Sequence, residues 1–205
     1  MIIAGLTGSI AMGKTTVAQI FAAAGWPVFD ADEAVHRFYS SKGARVVDQA
    51  FPGVVHNGVI DRGRLAAEVL GNEEAMAKLE SIVHPAVAEY RKSFLDNAAA
   101  QRRRGVILDI PLLFETGGES SVDIVVVVSA SAEKQRARAL ARPGMTGEKL
   151  ELIQARQVSD ADKRRKAHYV VDTNSSLERS RRQVEDFTRA VLGSPGKVWK
   201  VEASA

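Results

Sequence analysis

A glycine-rich segment near the start of the chain carries the clearest chemical signal. Its residues are Gly8, Ser9, Ile10, Ala11, Met12, Gly13, Lys14 and Thr15. They match the phosphate-binding pattern G-x-x-x-x-G-K-[ST], and we call this segment the P-loop. Its backbone N–H groups can turn inward around phosphate oxygens, and the start of a helix adds positive charge there. Lys14 is expected to reach the β- and γ-phosphates of a nucleotide, and the Thr15 hydroxyl to ligate Mg²⁺.

Three aspartates follow strand-like segments and could complete a phosphoryl-transfer site. Asp109 ends a buried segment, where an acidic residue can hold Mg²⁺ or simply begin a turn. Asp30 and Asp32 follow another strand, and ligands of open α/β sheets bind at the carboxyl ends of strands. On an extended segment these two carboxylates would point to the same side. One of them could take the proton of an acceptor hydroxyl, although a helix N-cap is the alternative role.

A basic segment from Lys134 to Lys166 holds ten lysines and arginines against four acidic residues. Arginines on a closing lid can supply positive charge to the transferring phosphoryl group and exclude water. Arg138 and Arg142 are four residues apart and so share a helix face, which a Pro-Gly pair at 143–144 ends. We expect Arg142 to be functional. The four basic residues at 163–166 are expected to form a solvated face.

The reaction class follows partly from what the sequence lacks. A GTPase would need the guanine-reading tetrapeptide Asn-Lys-x-Asp, which does not occur. A nucleic-acid-dependent ATPase would usually have a longer chain, and its basic residues would form one continuous stripe. A kinase that phosphorylates an alcohol fits the paired carboxylates best. A kinase for another nucleotide-like or small-molecule acceptor stays open, and a nucleic-acid-dependent ATPase is the weaker alternative.

Alternating strands and helices must position these residues. Strand patterns occur at residues 2–7, 28–29, 106–108, 123–128 and 169–171, which predicts a parallel α/β sheet. The long interval after the second strand exceeds what a simple crossover needs, so we interpret residues 31–105 as a helical insert. Helices are predicted there near 31–40, 44–50, 62–70, 73–82 and 85–103.

Composition narrows the class of protein further. The 205 residues include no cysteine, which excludes disulfides, zinc-thiolate sites and a thiol nucleophile. No apolar run approaches the roughly 20 residues that span a bilayer, and no basic leader is visible, so we expect a soluble cytoplasmic protein with no membrane partner. The formal charge of +3 comes entirely from the second half of the chain. Because the basic residues are mixed with acidic ones, no nucleic-acid partner is expected.

The order and spacing of these motifs resemble the dephospho-CoA kinase family over nearly the whole chain. Besides the P-loop and the aspartates already described, the resemblance is carried by Asp61-Arg62, Arg64-Leu65, His84-Pro85, residues 109–115, Gln135, Arg138, Arg142, Gln157 and Asp172. The departures from the family pattern include Ala11-Met12, Pro143, Asp160, Lys163, His168 and Thr173.

The resemblance implies a three-layer P-loop kinase fold with a five-stranded parallel sheet. It implies a nucleotide-binding core at 1–30 and 106–192, an acceptor-binding insert at 31–105, a lid at 138–165 and a tail at 193–205. The family transfers the γ-phosphoryl group of ATP to the 3′-hydroxyl of dephospho-CoA. The chain is expected to be a monomer or a weak homo-oligomer.

By this resemblance, the residues fall into four groups. The catalytic group is Asp32 as the base with Lys14 and Arg142. The ATP-binding group is residues 8–16, namely Gly8, Ser9, Ile10, Ala11, Met12, Gly13, Lys14, Thr15 and Thr16, together with Arg138, Arg142 and Asn174. The acceptor-binding group is Asp30, Asp32, Arg64, His84 and Leu113. Thr15 and Asp109 would hold Mg²⁺, the implied cofactor.

Overall fold

A five-stranded parallel sheet has the strand order β2-β5-β1-β6-β7. The structure is a computed structural model that describes residues 1–191, 193 and 196–198. The strands are β1 (Ile2–Thr7), β2 (Val28–Asp30), β5 (Gly105–Asp109), β6 (Ile124–Ser129) and β7 (Tyr169–Asp172). Every predicted strand is confirmed to within two residues, and so are the α/β class and the parallel sheet.

The chain divides into two compact units, which we call the sheet unit and the insert unit. The sheet unit consists of Met1–Phe29 and Ala98–Ala205, and the insert unit of Asp30–Asn97. Helices of the sheet unit are α1 (Lys14–Ala23), α6 (Ala132–Leu140), α7 (Gly147–Ala155), α8 (Asp160–Lys166) and α9 (Leu177–Val191), with a short 3-10 helix at Gly118–Ser121. Most of the predicted tail at 193–205, including Trp199, lies outside the described residues.

Burial explains why the strands are nearly uniform in apolar character. All six residues of β1 are buried, as are five of the six in β6, because neighbouring strands and helices cover both faces. On one side, α1 and α9 meet around an aromatic cluster of Phe21, Trp26, Phe187 and Tyr169. The Trp26 indole N–H donates to Thr188 Oγ1 at 3.1 Å, so this buried ring also has its polar atom satisfied.

The insert unit packs four helices and a short hairpin around a core of its own. The helices are α2 (Ala31–Tyr39), α3 (Gly43–Ala50), α4 (Arg62–Val69) and most of α5 (Glu73–Ala100). Its fully or nearly buried apolar residues include Phe38, Val47, Val54, Leu65 and Val83. Asp61 caps α4 by accepting from the N–H groups of Gly63 and Arg64. These backbone hydrogen bonds, that from Arg64 first, hold the pKa of Asp61 below its ordinary value.

Two predictions for the insert were incomplete. The hairpin of β3 (Val55–His56) and β4 (Val59–Ile60) was missed because each strand is only two residues long. Its Asn57-Gly58 turn has positive φ at both residues, which is the usual two-residue hairpin signal. The two helices predicted at 73–82 and 85–103 are one helix, α5, with Pro85 inside it. A proline removes one helical hydrogen bond, and buried residues before and after it, Val83 and Leu95, hold the helix together.

Across the described residues, no helix combines the length and apolar character needed to cross a membrane.

Candidate active site

The P-loop connects β1 to α1, the strand-to-helix context that its sequence predicts. Gly8 is required by close approach, since a Cβ there would lie 2.6 Å from the carbonyl oxygen of Val128 in β6. Gly13 caps α1 with φ at 95°, a left-handed conformation that glycine adopts without steric cost. The two glycines therefore set the path of the loop, which ends at the first turn of α1, where backbone N–H groups have no partner within the helix.

Lys14 and Asp109 form an ion pair beside this helix start. Lys14 Nζ lies 2.5 Å from Asp109 Oδ1, and the aspartate side chain is almost fully buried at the end of β5. Thr15 and Thr16 follow on α1 and are exposed. The structure thus brings the two expected metal ligands, Thr15 and Asp109, to the same end of the sheet.

Ala11 occupies a backbone conformation that alanine disfavours. Its φ is 61°, in the left-handed region. The N–H of Met12 donates to the carbonyl oxygen of Ser9 at 3.2 Å, so Ile10 and Ala11 are the two central residues of a tight turn. Positive φ at only the second of these is typical of a type II turn, which prefers glycine there. The left-handed conformation costs a residue with a Cβ about 1 kcal/mol or somewhat more.

Two glutamines bond to Ile10, the residue before Ala11, and a third bonds to one of them. Gln135 Nε2 donates to the carbonyl oxygen of Ile10 at 2.9 Å, and the N–H of Ile10 donates to Gln157 Oε1 at 3.1 Å. Gln154 Nε2 donates to Gln135 Oε1 at 2.9 Å. The same glutamines line a cavity of about 260 Å³ with the nearly buried Ser9. Gln135 and Gln157 carry the family resemblance, but the sequence suggested no role for them.

Arg138 and Thr173 secure the other end of the loop. The Arg138 guanidinium donates to Thr173 Oγ1 at 2.9 Å and to the Thr173 carbonyl oxygen at 2.7 Å. Thr173 Oγ1 in turn donates to the carbonyl oxygen of Met12 at 2.7 Å. Arg138 is therefore beside the P-loop, as an ATP-binding role requires. Arg142 is exposed just beyond the end of α6, so the expectation that it shares a helix face with Arg138 was wrong.

Asn174 lies at the carboxyl edge of the sheet, beside a second cavity. Its Oδ1 accepts from the N–H of Ser131 at 2.7 Å, and its Nδ2 donates to Asp172 Oδ1 at 2.7 Å. The side chain of Lys134 donates to its carbonyl oxygen. The cavity has a volume of about 260 Å³, and its lining also includes Arg164 and Val170. Asn174 thus lines a pocket at the carboxyl edge of the sheet, and its contact with ATP stays a prediction.

Lys163 differs from the prediction of a solvated basic face. Arg164, Arg165 and Lys166 are exposed, but the Lys163 side chain is completely buried, and its Nζ lies 2.9 Å from Glu115 Oε1. Burial alone would raise the pKa of Glu115. Contacts with the Lys163 ammonium and with backbone N–H groups outweigh that effect, so the pKa is lowered overall. The sequence around Lys163 gave no indication of its burial, because its partner Glu115 lies 48 positions earlier in the chain.

In the insert unit, Asp32 borders a mostly apolar cavity of about 380 Å³. The lining residues are Asp32, Val35, Tyr39, Arg62, Leu65, Ala66, Val69, Met76 and Leu79. Tyr39 and Arg62 were not predicted. Burial raises the pKa of Tyr39, partly opposed by the Arg62 charge. The Arg62 guanidinium also donates to His36 Nδ1 at 3.0 Å, which holds it at the polar end of the cavity.

Asp30 and Asp32 do not share an extended segment, so the expectation that they point to one side was wrong. Asp30 is the N-cap of α2 and accepts from the N–H of Glu33 at 3.0 Å. Asp32 is already in the first turn of that helix, where residues two apart do not face each other. The pair therefore divides into a capping residue and an exposed carboxylate at the cavity.

The other expected acceptor residues occupy different environments. Arg64 is exposed on α4 and donates to the carbonyl oxygen of Gly53 at 3.2 Å. His84 is exposed in the interior of α5, whereas the sequence predicted that it stands at the start of a helix. Leu113, in the sheet unit, is fully buried and packs over Gly5. None of these three lines the cavity at Asp32, and their contact with an acceptor stays a prediction.

The donor set suits Mg²⁺ better than a transition metal. Thr15 and Asp109 offer hard oxygen ligands, and Mg²⁺ is usually held by one or two protein oxygens together with substrate phosphates. In the part of the chain that the structure describes, no cluster of three or more histidine, aspartate or glutamate side chains could hold a metal ion alone. The site therefore fits a metal that arrives with a nucleotide.

Comparison with known proteins connects this geometry to a family. The dephospho-CoA kinase family model matches residues 2–179. A dephospho-CoA kinase of Brucella melitensis is 51% identical over 95% of this chain and 98% of its own length. One from Mesorhizobium japonicum is 52% identical over 96% of this chain and its entire length.

Solved structures share the fold of this chain. A protein of Thermus thermophilus described as TT1252 is 32% identical with a TM-score of 0.81, covering 93% of this chain and 97% of its own. A dephospho-CoA kinase from Campylobacter jejuni, at 22% identity and a TM-score of 0.63, covers 92% of this chain and 96% of its own and supports the fold. With the P-loop, its ion pair and these matches together, the chain belongs to the dephospho-CoA kinase family of ATP-dependent kinases.

Proposed function

We propose that this kinase transfers the γ-phosphoryl group of ATP to the 3′-hydroxyl of dephospho-CoA. The observation that carries the proposal, beyond family membership, is the cavity of the insert unit, where Asp32 and Arg62 stand beside mostly apolar walls. Dephospho-CoA has a long, largely uncharged arm and a charged nucleotide end. A nucleoside monophosphate has no such arm, so an apolar cavity of about 380 Å³ would serve it poorly.

The donor nucleotide would bind at the P-loop. Its phosphates would accept hydrogen bonds from the N–H groups of the loop and of the first turn of α1. Lys14 would exchange its contact with Asp109 for the β- and γ-phosphates and stabilise the charge that develops during transfer. Arg138 and Asn174, which lie at this end of the sheet unit, would hold the remainder of ATP.

Mg²⁺ would be held by the Thr15 hydroxyl and by Asp109, directly or through water. When bound, it supplies positive charge that neutralises the nucleotide phosphates. The nearly buried position of Asp109 helps here, because a carboxylate with little solvent access interacts more strongly with a nearby cation.

Asp32 would act as the general base. Its carboxylate would accept a hydrogen bond from the acceptor hydroxyl, orient it, and take its proton as the new P–O bond forms. Its exposure at the cavity leaves it accessible to an acceptor, whereas Asp30 already accepts a hydrogen bond from the α2 backbone. Asp32 is therefore the better candidate of the two.

The segment at 138–165 would act as a lid, and residues 31–105 as the acceptor domain, on the core formed by 1–30 and 106–192. Arg142 is exposed at the end of α6, where movement of the lid could bring its charge to the transferring phosphoryl group. We further expect a cytoplasmic enzyme, monomeric or weakly self-associating, with neither a nucleic-acid nor a membrane partner.

Release of ADP, measured with a panel of acceptors, tests the proposal. Dephospho-CoA, nucleoside monophosphates and adenosine would be compared at equal concentration, with single-stranded DNA as a possible activator. We expect turnover with dephospho-CoA to exceed the others by at least about 10²-fold, because only it fills the acceptor cavity. Turnover with a nucleoside monophosphate but not with dephospho-CoA would refute the substrate assignment, and stimulation by DNA alone would favour the ATPase alternative.

A further inference from the structure

The Ile10–Ala11 peptide group of the P-loop has two possible orientations. In a tight turn, the type I and type II forms differ by a flip of the central peptide, which reverses its carbonyl and the next N–H. Here that peptide joins the Ile10 carbonyl to the Ala11 N–H. The observed φ of 61° at Ala11 corresponds to the type II form, which alanine disfavours. Something outside the turn must therefore select this orientation.

Gln135 makes the contact that distinguishes the two orientations. Its Nε2 donates to the Ile10 carbonyl oxygen at 2.9 Å, and a peptide flip would move that oxygen away. The assignment of the amide atoms is forced, because a carbonyl can only accept. Gln135 Oε1 then faces Gln154 Nε2 at 2.9 Å, which fixes the rotation of the amide. Only 5% of the Gln135 residue surface is exposed, so water competes little for these bonds.

Gln157 makes a different contact with the same residue. Its Oε1 accepts from the Ile10 N–H at 3.1 Å. That N–H belongs to the Ser9–Ile10 peptide, which does not change orientation between the two turn types. Gln157 therefore anchors the loop, but it does not select the conformation of Ala11. The chain thus contains its own control for the effect of Gln135.

We propose that Gln135, oriented by Gln154, is a positioning residue that locks the Ile10–Ala11 peptide in the orientation needed for nucleotide binding. With the Ile10 carbonyl turned toward Gln135, the Ala11 N–H points the opposite way and is free to serve as a phosphate donor. A glycine at position 11 would adopt this turn without assistance. Because alanine stands there, the lock offsets the preference of Ala11 for negative φ. The proposal rests on the P-loop being the nucleotide site proposed above.

The decisive experiment combines Gln135→Met with Ala11→Gly. Methionine keeps the approximate size of the side chain but lacks the donor. Binding of the non-hydrolysable analogue β,γ-imido-ATP with Mg²⁺ is measured by titration calorimetry, without an acceptor. We expect Gln135→Met to raise Kd roughly tenfold, reflecting the cost of a left-handed alanine. Ala11→Gly should recover most of this loss in the Gln135→Met background, and its effect on Kd should be several-fold larger there than in the parent enzyme.

Two further variants separate the lock from general packing. Gln157→Met should also weaken binding, but Ala11→Gly should not rescue it. Gln154→Met changes an exposed side chain, so it keeps the test available if Gln135→Met does not fold. It should give a smaller loss that Ala11→Gly also rescues. Gln19→Met, on the exposed face of α1, is the neutral control.

Equal effects of Ala11→Gly in the Gln135→Met, Gln157→Met and parent backgrounds would overturn the proposal, since the substitutions would then be independent. So would an unchanged Kd in both Gln135→Met and Gln154→Met. Failure of the parent enzyme to bind β,γ-imido-ATP would instead refute the nucleotide site itself. Binding without turnover of dephospho-CoA would refute only the proposed acceptor.

Discussion

The P-loop and the Asp32 cavity differ in the groups that form them: backbone N–H groups in the first and side chains in the second. In the sheet unit, the proposed phosphate site consists mainly of backbone N–H groups whose positions follow from Gly8, Gly13 and the start of α1. In the insert unit, the proposed acceptor site is a cavity assembled from side chains of α2, α4 and α5. A backbone site is encoded by a short local pattern, whereas a side-chain cavity depends on tertiary packing.

The largest effect is expected from Lys14, which we propose contacts the β- and γ-phosphates. Lys14→Met should lower kcat/KM by roughly 10³-fold, because a positive charge that stabilises the transition state is lost. Steady-state ADP release at varied ATP measures this. Thermal unfolding serves as the control for folding. A loss below tenfold would mean that backbone donors alone supply most of the stabilisation, which would strengthen the contrast between the two sites.

Lys163 tests how strongly a buried side-chain contact stabilises the sheet unit. The proposed phosphate site of this unit, by contrast, is formed mainly by backbone N–H groups. Lys163→Met should lower the free energy of unfolding by about 3 kcal/mol, because it leaves Glu115 partly buried without its counter-ion. Denaturant unfolding measures this value. The double variant with Glu115→Gln should be more stable than Lys163→Met alone, and the exposed Arg165→Met is the matched control. Equal losses of unfolding free energy in Lys163→Met and Arg165→Met would contradict the burial argument.

Asp32 carries the corresponding test in the insert unit. Asp32→Asn should lower kcat by roughly 10²-fold and leave the Kd of β,γ-imido-ATP unchanged, since loss of a general base affects the chemical step. Pre-steady-state and steady-state phosphoryl transfer measure the change. An unaltered kcat would reduce Asp32 to a residue of the first helical turn, and the acceptor site would then need another base.

Asp30 provides the structural counterpart two residues earlier. Asp30→Ala should lower the free energy of unfolding by about 1 kcal/mol through loss of the α2 N-cap. Its effect on kcat should be much smaller than that of Asp32→Asn. Should Asp30→Ala instead raise the KM for dephospho-CoA strongly with no loss of stability, the residue would belong to the acceptor site as the family resemblance implies.

The smallest effect concerns pH. Because the folded state lowers the pKa of Glu115 below its ordinary value of 4.5, its contribution to stability is complete above that pH. The contribution disappears as the pH falls through the folded-state pKa. Glu115→Gln should therefore make unfolding free energy less dependent on pH below about 4.5, as measured by denaturant titrations at several pH values. An unchanged dependence would show that other carboxylates account for acid unfolding.

The difference between local and tertiary information also explains which features could be predicted. The strands and the P-loop are contiguous patterns, and the structure confirms the strands and the strand-to-helix context of the loop. The relation of Asp30 to Asp32 was mispredicted because α2 begins at Ala31, so that Asp30 is its N-cap and Asp32 is already helical. The continuity of α5 through Pro85 depends on packing that no local pattern records.

Contacts between distant residues were beyond sequence reasoning altogether. Gln135 and Gln157 were recognised as part of the family pattern, but their common partner, Ile10, is more than 120 positions away. The sequence around Lys163 resembles that of its exposed neighbours. It contains no sign of Glu115, the carboxylate that pairs with Lys163 in the folded protein. Arg62 and Arg64 both lie on α4 but point in different directions from the helix. Arg62 therefore lines the cavity and Arg64 does not.

The aromatic cluster between α1 and α9 has an optical consequence. The chain contains two tryptophans, and Trp26 is enclosed by Phe21 and Phe187 with its indole N–H bonded to Thr188. Replacing Trp199 with phenylalanine would leave Trp26 as the sole tryptophan emitter. An indole in such surroundings emits at shorter wavelength than one in water, so a red shift would report separation of the two helices. The same protein sample could then reveal loss of this packing while ADP release follows catalysis.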